Sequence, residues 1–274
     1  PVLEQLAFDT TGWRARAVEF FELLGTTQYL DHRRPHSVRT PNLREAAQLE
    51  RVDGLFDRSA DTVEVRSLPA GRYNIANVGL YLWRLQAYAL QRVRARAMTS
   101  LEGFYSFDAL GRDVAEPLLR GEGLLFNRPR TEQEITQLAQ PENVPEPLSR
   151  RLLHDELTAL RQALTDGETP SPVYFPLDRE EEGGPVLRIW LDGVEVPPEH
   201  LLVCNLSPLP GVVPEEWRRP PASVTVKSSK TGQPDHTFPG AAQQFLVGFD
   251  PVLGRIALPA GTSATRVEVA YSYG

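Results

Sequence analysis

Residues 184–274 of the 274-residue chain are short apolar segments separated by turns rich in proline and glycine. This pattern constrains the possible fold more than any other feature of the sequence. Val186–Leu191 and Val194–Val196 are joined by Asp192-Gly193, a dipeptide favoured in type I′ hairpins because both central residues need positive φ. Short strands at such spacing predict a small antiparallel β-sandwich. Further strands are expected at Leu201–Asn205, Ser223–Lys227, Gln244–Phe249, Arg255–Leu258 and Arg266–Tyr273.

The N-terminal part has helical patterns instead. A first helix is predicted over about Val2–Phe8, ending near Gly12. Ala17–Leu24 has apolar residues at helical spacing, which predicts a second helix. An Asn-x-x-Glu start resembling a capping box predicts a third helix within Asn42–Gly54.

The middle of the chain changes period twice. Alternating apolar and polar residues predict strands at Thr62–Arg66 and Gln91–Met98, and the continuous apolar run Gly79–Leu90 predicts a central strand. Helices are predicted over Thr131–Ala139, which opens with a capping box, and over Leu148–Leu164, which carries a leucine stripe.

These elements predict an α+β fold, with helical N-terminal and middle segments around a β-sheet and a C-terminal antiparallel β-sandwich-like domain. Connectors rich in Glu, Gly and Pro near residues 170–184 predict a domain boundary. The expected domains are a mixed α+β assembly domain at residues 1–175 and a β-sandwich-like domain at residues 184–274. Because the sequence starts at Pro1 inside an apolar pattern, we expect a fragment of a longer protein.

Charge and composition narrow the functional classes. Residues 101–182 carry eight arginines against seventeen acidic residues, a net charge of −9, which argues against a nucleic-acid partner. No apolar run approaches the roughly 18–20 residues of a membrane span. The single cysteine, Cys204, excludes intramolecular disulfides and Cys-based metal frameworks, and its apolar strand predicts a small buried hydrophobe.

No catalytic motif stands in the sequence, and we expect no catalytic residue, metal or cofactor. His32 and His36 have i,i+4 spacing, but Pro35 argues against the helix that a two-histidine metal site needs. His200 and Cys204 are not expected to act as a nucleophile pair, since a reactive thiol needs an exposed, electropositive setting. The acidic middle leaves open a carboxylate pair of the kind used by glycosidases.

Two groups of residues are candidates for interaction. Arg92, Arg94 and Arg96 alternate with small apolar residues, so a strand would place them on one face. That face could bind an acidic partner strand or an anionic glycan, or it could be a solvated outer face. Trp217 and Arg218 lie in a Pro-rich loop and are either an interface anchor or a lid over a small core.

Three blocks of the sequence resemble a known class of proteins. Val2–Trp13 with Ala17–Phe21 resembles a helical region of baseplate-type tail proteins from contractile phage tails and phage-like injection systems. Thr62–Leu85 resembles large proteins associated with such clusters, and Asp250–Gly274 resembles the β region that follows in them. The resemblance implies helices that dock into a baseplate or tail tip, and β modules that face outward or pack against neighbours.

The expected function is therefore a non-catalytic structural component of a phage-tail-like contractile injection particle, at the baseplate or tail tip. Its partners would be other particle subunits in an oligomeric assembly, together with a cell-surface glycan or protein as a further candidate. It would be made in the bacterial cytoplasm and incorporated into the particle, which could be released. The alternatives are an adhesin-like carbohydrate- or cell-surface-binding module and a polysaccharide or cell-wall hydrolase.

Overall fold

A computed structural model describes residues 1–24, 40, 42–52, 54–61, 77–84, 86–98, 101–108, 123–129, 139–176, 184–207, 219–240 and 245–274. The helices are α1 (Val2–Thr11), α2 (Ala46–Leu49) and α3 (Arg150–Thr165), with 3₁₀ turns at Phe20–Leu23 and Pro198–His200. The strands are β1 (Ala15–Glu19), β2 (Val78–Leu82), β3 (Tyr88–Arg94), β4 (Arg96–Ala97), β5 (Phe104–Ser106), β6 (Leu187–Leu191), β7 (Val194–Glu195), β8 (Leu201–Val203), β9 (Val224–Val226), β10 (His236–Phe238), β11 (Val247–Asp250), β12 (Arg255–Ala257) and β13 (Val267–Tyr273).

The predicted α+β fold with helical N-terminal and middle segments is wrong. The described residues form thirteen strands in four sheets and only three short helices. The second predicted helix, Ala17–Leu24, is instead the end of β1 and a 3₁₀ turn. Strand β1 pairs antiparallel with β2, in the register Ala17↔Leu80, and these two residues are 63 positions apart in the chain. A short apolar run fits either a helix or a strand, so this distant pairing decides its conformation.

The other two predicted N-terminal helices have different outcomes. The first is confirmed as α1, which ends at Gly12 in the left-handed conformation (φ 71°), with the Gly12 N–H donating to the Phe8 carbonyl. The third is reduced to the four residues of α2. Asn42 folds back on its own turn, since its Oδ1 accepts from the Arg44 N–H and its Nδ2 donates to Glu45.

The chain forms two compact units. The N-terminal unit comprises Pro1–Arg84 and Ile135–Val144, and the C-terminal unit comprises Leu85–Glu134 and Pro145–Gly274. The predicted strand Gly79–Leu90 is therefore divided between β2 of the first unit and β3 of the second. This grouping differs from the predicted division at residues 175–184, since both large sheets join strands from the two sides of that boundary.

The C-terminal unit is built on two sheets, of order β4-β5-β12-β11-β8 and β3-β13-β6-β7. Phe249 and Ile256 of the first sheet and Ile189 and Val269 of the second are fully buried in one core, which the leucine stripe of α3 also enters. The β-rich C-terminal region is confirmed in this coarse sense. Its pairing is not wholly antiparallel, because β8 and β11 run parallel.

Two local sequence signals in the C-terminal unit are confirmed, the Asp-Gly hairpin turn and the leucine-striped helix. Asp192 and Gly193 have φ of 49° and 91° in the turn between β6 and β7, as a type I′ hairpin requires. The leucine-striped helix is α3, and its N-cap residue Ser149 accepts a hydrogen bond from the Leu152 N–H at 3.2 Å. The predicted strand Thr62–Arg66 and nearly all of the predicted helix Thr131–Ala139 lie outside the described residues.

The N-terminal unit holds a smaller apolar cluster. Trp83, Ala139 and Val144 are buried, and the ring of Phe56 stacks on Trp83 with 6.0 Å between centroids. This cluster lies beneath the two-stranded sheet of β1 and β2, whose Tyr81 packs against it.

Candidate functional site

The predicted arginine group lies where the chain passes from one large sheet to the other. Arg92 and Arg94 belong to β3, the edge strand of the four-stranded sheet, and Arg96 begins β4, the edge strand of the five-stranded sheet. All three side chains are exposed, whereas Ala95 between them is buried and its N–H donates to the Val267 carbonyl. All three arginines therefore lie on the outside of the C-terminal unit, on the edge strands of two different sheets.

A β-bulge shapes this edge. Leu90 lies opposite Tyr271 and Val93 opposite Val269, so two residues of β3 face a single residue of β13. Arg92, in the bulge, has a positive φ of 49°. Bulges and charged side chains are means by which natural edge strands avoid pairing with other chains, so these features alone account for an exposed, solvated edge.

Arg92 already has bonding partners on its own face of the sheet. Its Nε donates to Glu268 at 3.2 Å, and its guanidinium lies 5.2 Å from the ring centroid of Trp190. Arg188 approaches the same ring at 5.0 Å and forms a bidentate pair with Glu195 at 2.7 and 2.9 Å. Trp190 is consequently only 8% exposed although it lies on the outer face of the sheet, outside the main core.

Glu268 neutralises the arginines around it. Its burial alone would raise the pKa of Glu268, but hydrogen bonds from Arg266 (2.7 Å) and Arg92 outweigh burial and hold the pKa below its usual range. In the part of the chain that the structure describes, Arg94 and Arg96 have no ion-pair partner. These two are therefore the members of the predicted group that remain available to another molecule.

The second predicted group, Trp217 and Arg218, lies outside the described residues. Its neighbour Arg219 is described and packs inward. The Arg219 guanidinium donates to the carbonyls of Glu102 (2.7 Å) and Leu258 (3.3 Å) and lies 4.8 Å from the ring centroid of Phe104. The role of Trp217 and Arg218 stays a prediction.

Two carboxylates of the C-terminal unit, the buried Asp250 and the half-buried Glu156, act as structural acceptors. Asp250 is fully buried and accepts two hydrogen bonds from Arg150, both 2.9 Å, as well as one from the Leu206 N–H at 2.8 Å. Glu156 accepts from three consecutive backbone N–H groups at residues 173–175, while burial raises the pKa of Glu156. Each carboxylate ties separate segments together, and much of the acidic middle, including 109–122 and 177–183, lies outside the described residues.

Cys204 lacks the setting of a catalytic thiol. Burial, and then the negative charge of Asp250, raise the pKa of Cys204 to about 11, so the thiol stays protonated at neutral pH. This agrees with the predicted packing role. His32 and His36 lie outside the described residues, and no group of three or more His, Cys, Asp or Glu in the described ranges could hold a metal ion.

A surface that the sequence did not reveal lies on the N-terminal unit. Helix α1 turns Glu4 and Ala7 inward, and Glu4 Oε1 accepts a hydrogen bond from the Ala17 N–H of β1 at 3.0 Å. Three apolar residues of the helix face solvent instead: Val2 is 81% exposed, Leu3 46% and Leu6 57%, whereas Phe8 is half-buried. Helix α1 therefore buries a carboxylate and exposes three apolar side chains, although a helix packed on a core usually turns its apolar side chains inward.

Strand β2 extends the exposed apolar character of this unit. Val78, Leu80 and Leu82 lie on one face of β2 and are each more than one-third exposed. Because α1 packs against both β1 and β2, the two sets of side chains belong to neighbouring elements. We call these six residues, Val2, Leu3, Leu6, Val78, Leu80 and Leu82, the N-terminal apolar surface.

Comparison with known proteins adds no relative. No protein-family model, curated protein or solved structure matches the chain. Among the described helices, none is both long and apolar enough to span a membrane.

Proposed function

We propose that the chain is a non-catalytic structural subunit of a phage-tail-like contractile injection particle, at its baseplate or tail tip. The N-terminal apolar surface carries this proposal. Single exposed apolar residues are ordinary on soluble proteins, whereas six large ones on two packed elements are a candidate surface for another protein to cover.

The orientation of α1 supports an apolar protein partner over a solvated role. An isolated helix at the edge of a unit is stabilised by turning its apolar residues inward, and α1 instead turns a carboxylate inward, where the Ala17 N–H satisfies it. Removing the remaining exposed apolar area from water would stabilise a complex by about 25 cal/mol per Å² before the costs of association. The occupant we propose is an apolar face of a neighbouring particle subunit.

The resemblance to baseplate-type proteins falls on the same part of the chain. Val2–Trp13 and Ala17–Phe21 carry the resemblance, and they contain α1 and most of β1. The resemblance implies that this region docks into the particle, although here its second half is a strand where a helix was expected.

The test is incorporation into particles. Leu3→Asp together with Leu6→Asp places two charges on the N-terminal apolar surface, while Val194→Asp makes the same change at a 71% exposed residue of the C-terminal unit. Particles are pelleted from the native host, and the chain is quantified by mass spectrometry with electron microscopy of the same fraction. We expect the double variant to fall at least about tenfold in the pellet and Val194→Asp to match the unchanged chain, because a desolvated charge costs several kcal/mol.

Equal incorporation of all three chains, or absence of the unchanged chain from every sheathed particle, would contradict the proposal. Circular dichroism of the purified variants separates loss of docking from loss of folding.

A cell-surface-binding module is the second candidate, and the unpaired exposed side chains of Arg94 and Arg96 favour it. Arginine binds carboxylate and sulfate groups well, so the ligand would be an anionic glycan or an acidic strand. Retention on a sulfated glycan column that Arg94→Gln with Arg96→Gln abolishes, and Arg44→Gln leaves intact, would support this function. If the unchanged chain is not retained on the column, this second candidate function is contradicted.

A further inference from the structure

The N-terminal unit contains a cavity of about 490 Å³ that none of the roles above uses. Its size is within the range of small-molecule sites, roughly 300–1,000 Å³. Three arginines line it, Arg16, Arg51 and Arg58, together with the carboxylates of Asp57 and Glu142. All of these residues belong to the N-terminal unit.

Arg16 lies on the rigid side of the cavity. It belongs to β1, and its guanidinium lies 4.7 Å from the ring centroid of Phe56, which packs against the buried cluster around Trp83. Its Nε is buried and has no hydrogen-bond partner in the described part of the chain. Burying a positive charge is also costly, and an anion bound to the other nitrogens of the Arg16 guanidinium would offset the cost of that charge.

Among the charges that act on Arg16, the positive charge of Arg58 has a larger effect than the negative charge of Glu4. Burial, and then the positive charge of Arg58, lower the pKa of Arg16, whereas Glu4 acts in the opposite sense. Glu4 is itself engaged with the Ala17 N–H. The positive charges of Arg16 and Arg58 repel each other, and a negative charge between them would attract both.

The other two arginines of the lining lie outside the strands and helices. Arg51 follows α2, and Arg58 lies between Asp57 and Ser59, where the Asp57 carboxylate accepts a hydrogen bond from the Ser59 N–H at 2.8 Å. Both arginine side chains are exposed, so they can adjust to a ligand, while Arg16 is half-buried and held by Phe56. One half-buried guanidinium together with two exposed ones suits an oxyanion with several charged oxygens.

We propose that this cavity binds a small multivalent oxyanion, a phosphorylated or polycarboxylate molecule, whose charged group lies between Arg16, Arg51 and Arg58. The three guanidinium groups supply forked donors that match phosphate and carboxylate oxygens. Phe56 supplies an apolar wall. The proposed site does not depend on the proposed role in a particle, since all of its lining residues belong to a single chain.

The experiment uses the purified full chain and three probes, pyrophosphate, inorganic phosphate and citrate, with binding measured by calorimetry at low salt. Arg58→Gln and the double variant Arg51→Gln with Arg58→Gln each remove exposed side chains, and Arg44→Gln removes an exposed arginine of the same unit that does not line the cavity. We expect saturable binding of pyrophosphate or citrate, weakened about tenfold in Arg58→Gln and further in the double variant. Arg44→Gln should bind as the unchanged chain does.

Absence of binding for all three probes would overturn the site, as would an equal loss in Arg44→Gln, which would mean non-specific attraction to surface charge. Binding of an acidic hexaglutamate peptide without binding of any small anion would also overturn it, in favour of a partner protein's acidic segment. Circular dichroism and thermal melting of each variant establish that a lost signal is not a lost fold.

Discussion

The two units treat their apolar and charged groups in opposite ways. In the described residues the C-terminal unit buries twenty-two side chains in one core and pairs its buried charges, as with Asp250 and Arg150. The described residues of the N-terminal unit bury three side chains in its cluster, expose Val2, Leu3 and Leu6 of α1 and leave the Nε of Arg16 without a partner. The C-terminal unit satisfies its own groups, whereas the N-terminal unit leaves groups that a partner or ligand would satisfy.

The largest effect should come from the core of the C-terminal unit. Phe249 is fully buried and packs edge-on against Phe175 at 6.4 Å between ring centroids. Phe249→Ala should lower the free energy of unfolding by about 3–5 kcal/mol through lost burial and a cavity. Val173→Ala, at a 49% exposed valine, should change it by less than about 0.5 kcal/mol. Denaturant unfolding measures both, and similar values would mean that this core is not the source of stability.

Removal of Asp250 should have the next largest effect. Asp250→Ala leaves Arg150 and the Leu206 N–H without their acceptor, so we expect a loss of about 3 kcal/mol. Arg150→Ala added to this variant should cost little more, because the two residues act as a pair. Fully additive losses in the double-mutant cycle would show that the pair is not coupled.

The thiol of Cys204 should be slow to react. With the pKa of Cys204 raised to about 11, iodoacetamide should alkylate the folded chain at pH 8 about 100-fold more slowly than the urea-unfolded chain, whose thiol has a pKa of about 8.5. Because folding raises the pKa of Cys204, the protonated thiol contributes stability that is fully present below the unfolded pKa. This stability is lost as pH rises through the folded pKa. Equal alkylation rates would place Cys204 in an open, reactive setting.

The smallest effect should come from the outer face around Trp190. The pKa of Glu268 is lowered in the folded chain, so its contribution is present above the unfolded value of about 4.3 and is lost as pH falls through the folded pKa. Between pH 5 and pH 3 the unchanged chain should therefore lose more stability than Glu268→Gln does. Urea unfolding at pH 5 and at pH 3 measures the free energy of unfolding of both chains. An equal loss in the two chains would count against the ion pairs of Glu268 with Arg92 and Arg266.

The sequence predicted the C-terminal strands better than the N-terminal fold, for a physical reason. Asp192-Gly193 and the period-two segments carry their information locally, and β6, β7 and β13 appear where expected. The strand β1 depends on β2, which is distant in the chain, and a segment of five residues does not reveal that pairing. The parallel pairing of β8 with β11 is equally non-local.

The candidate surfaces were predictable to different degrees. Alternation was enough to place Arg94 and Arg96 on the outside, but the contacts of Arg92 with Trp190 and Glu268 require the register of three strands. The direction of α1 could not be read from its pattern, because spacing shows an apolar stripe and not what the stripe faces. Only the hydrogen bond from Ala17 to Glu4 reveals which side is inward.

The most direct test of the proposed role is hydroxyl-radical footprinting of the N-terminal apolar surface, in the purified chain and in particles pelleted from the native host. We expect Leu3, Leu6 and Leu80 to be oxidised in the purified chain and at least about fivefold protected in particles, since a covered apolar surface excludes water. Val194, which is 71% exposed in the C-terminal unit, serves as the internal reference. Equal oxidation of the three leucines in both samples, relative to Val194, would contradict the account.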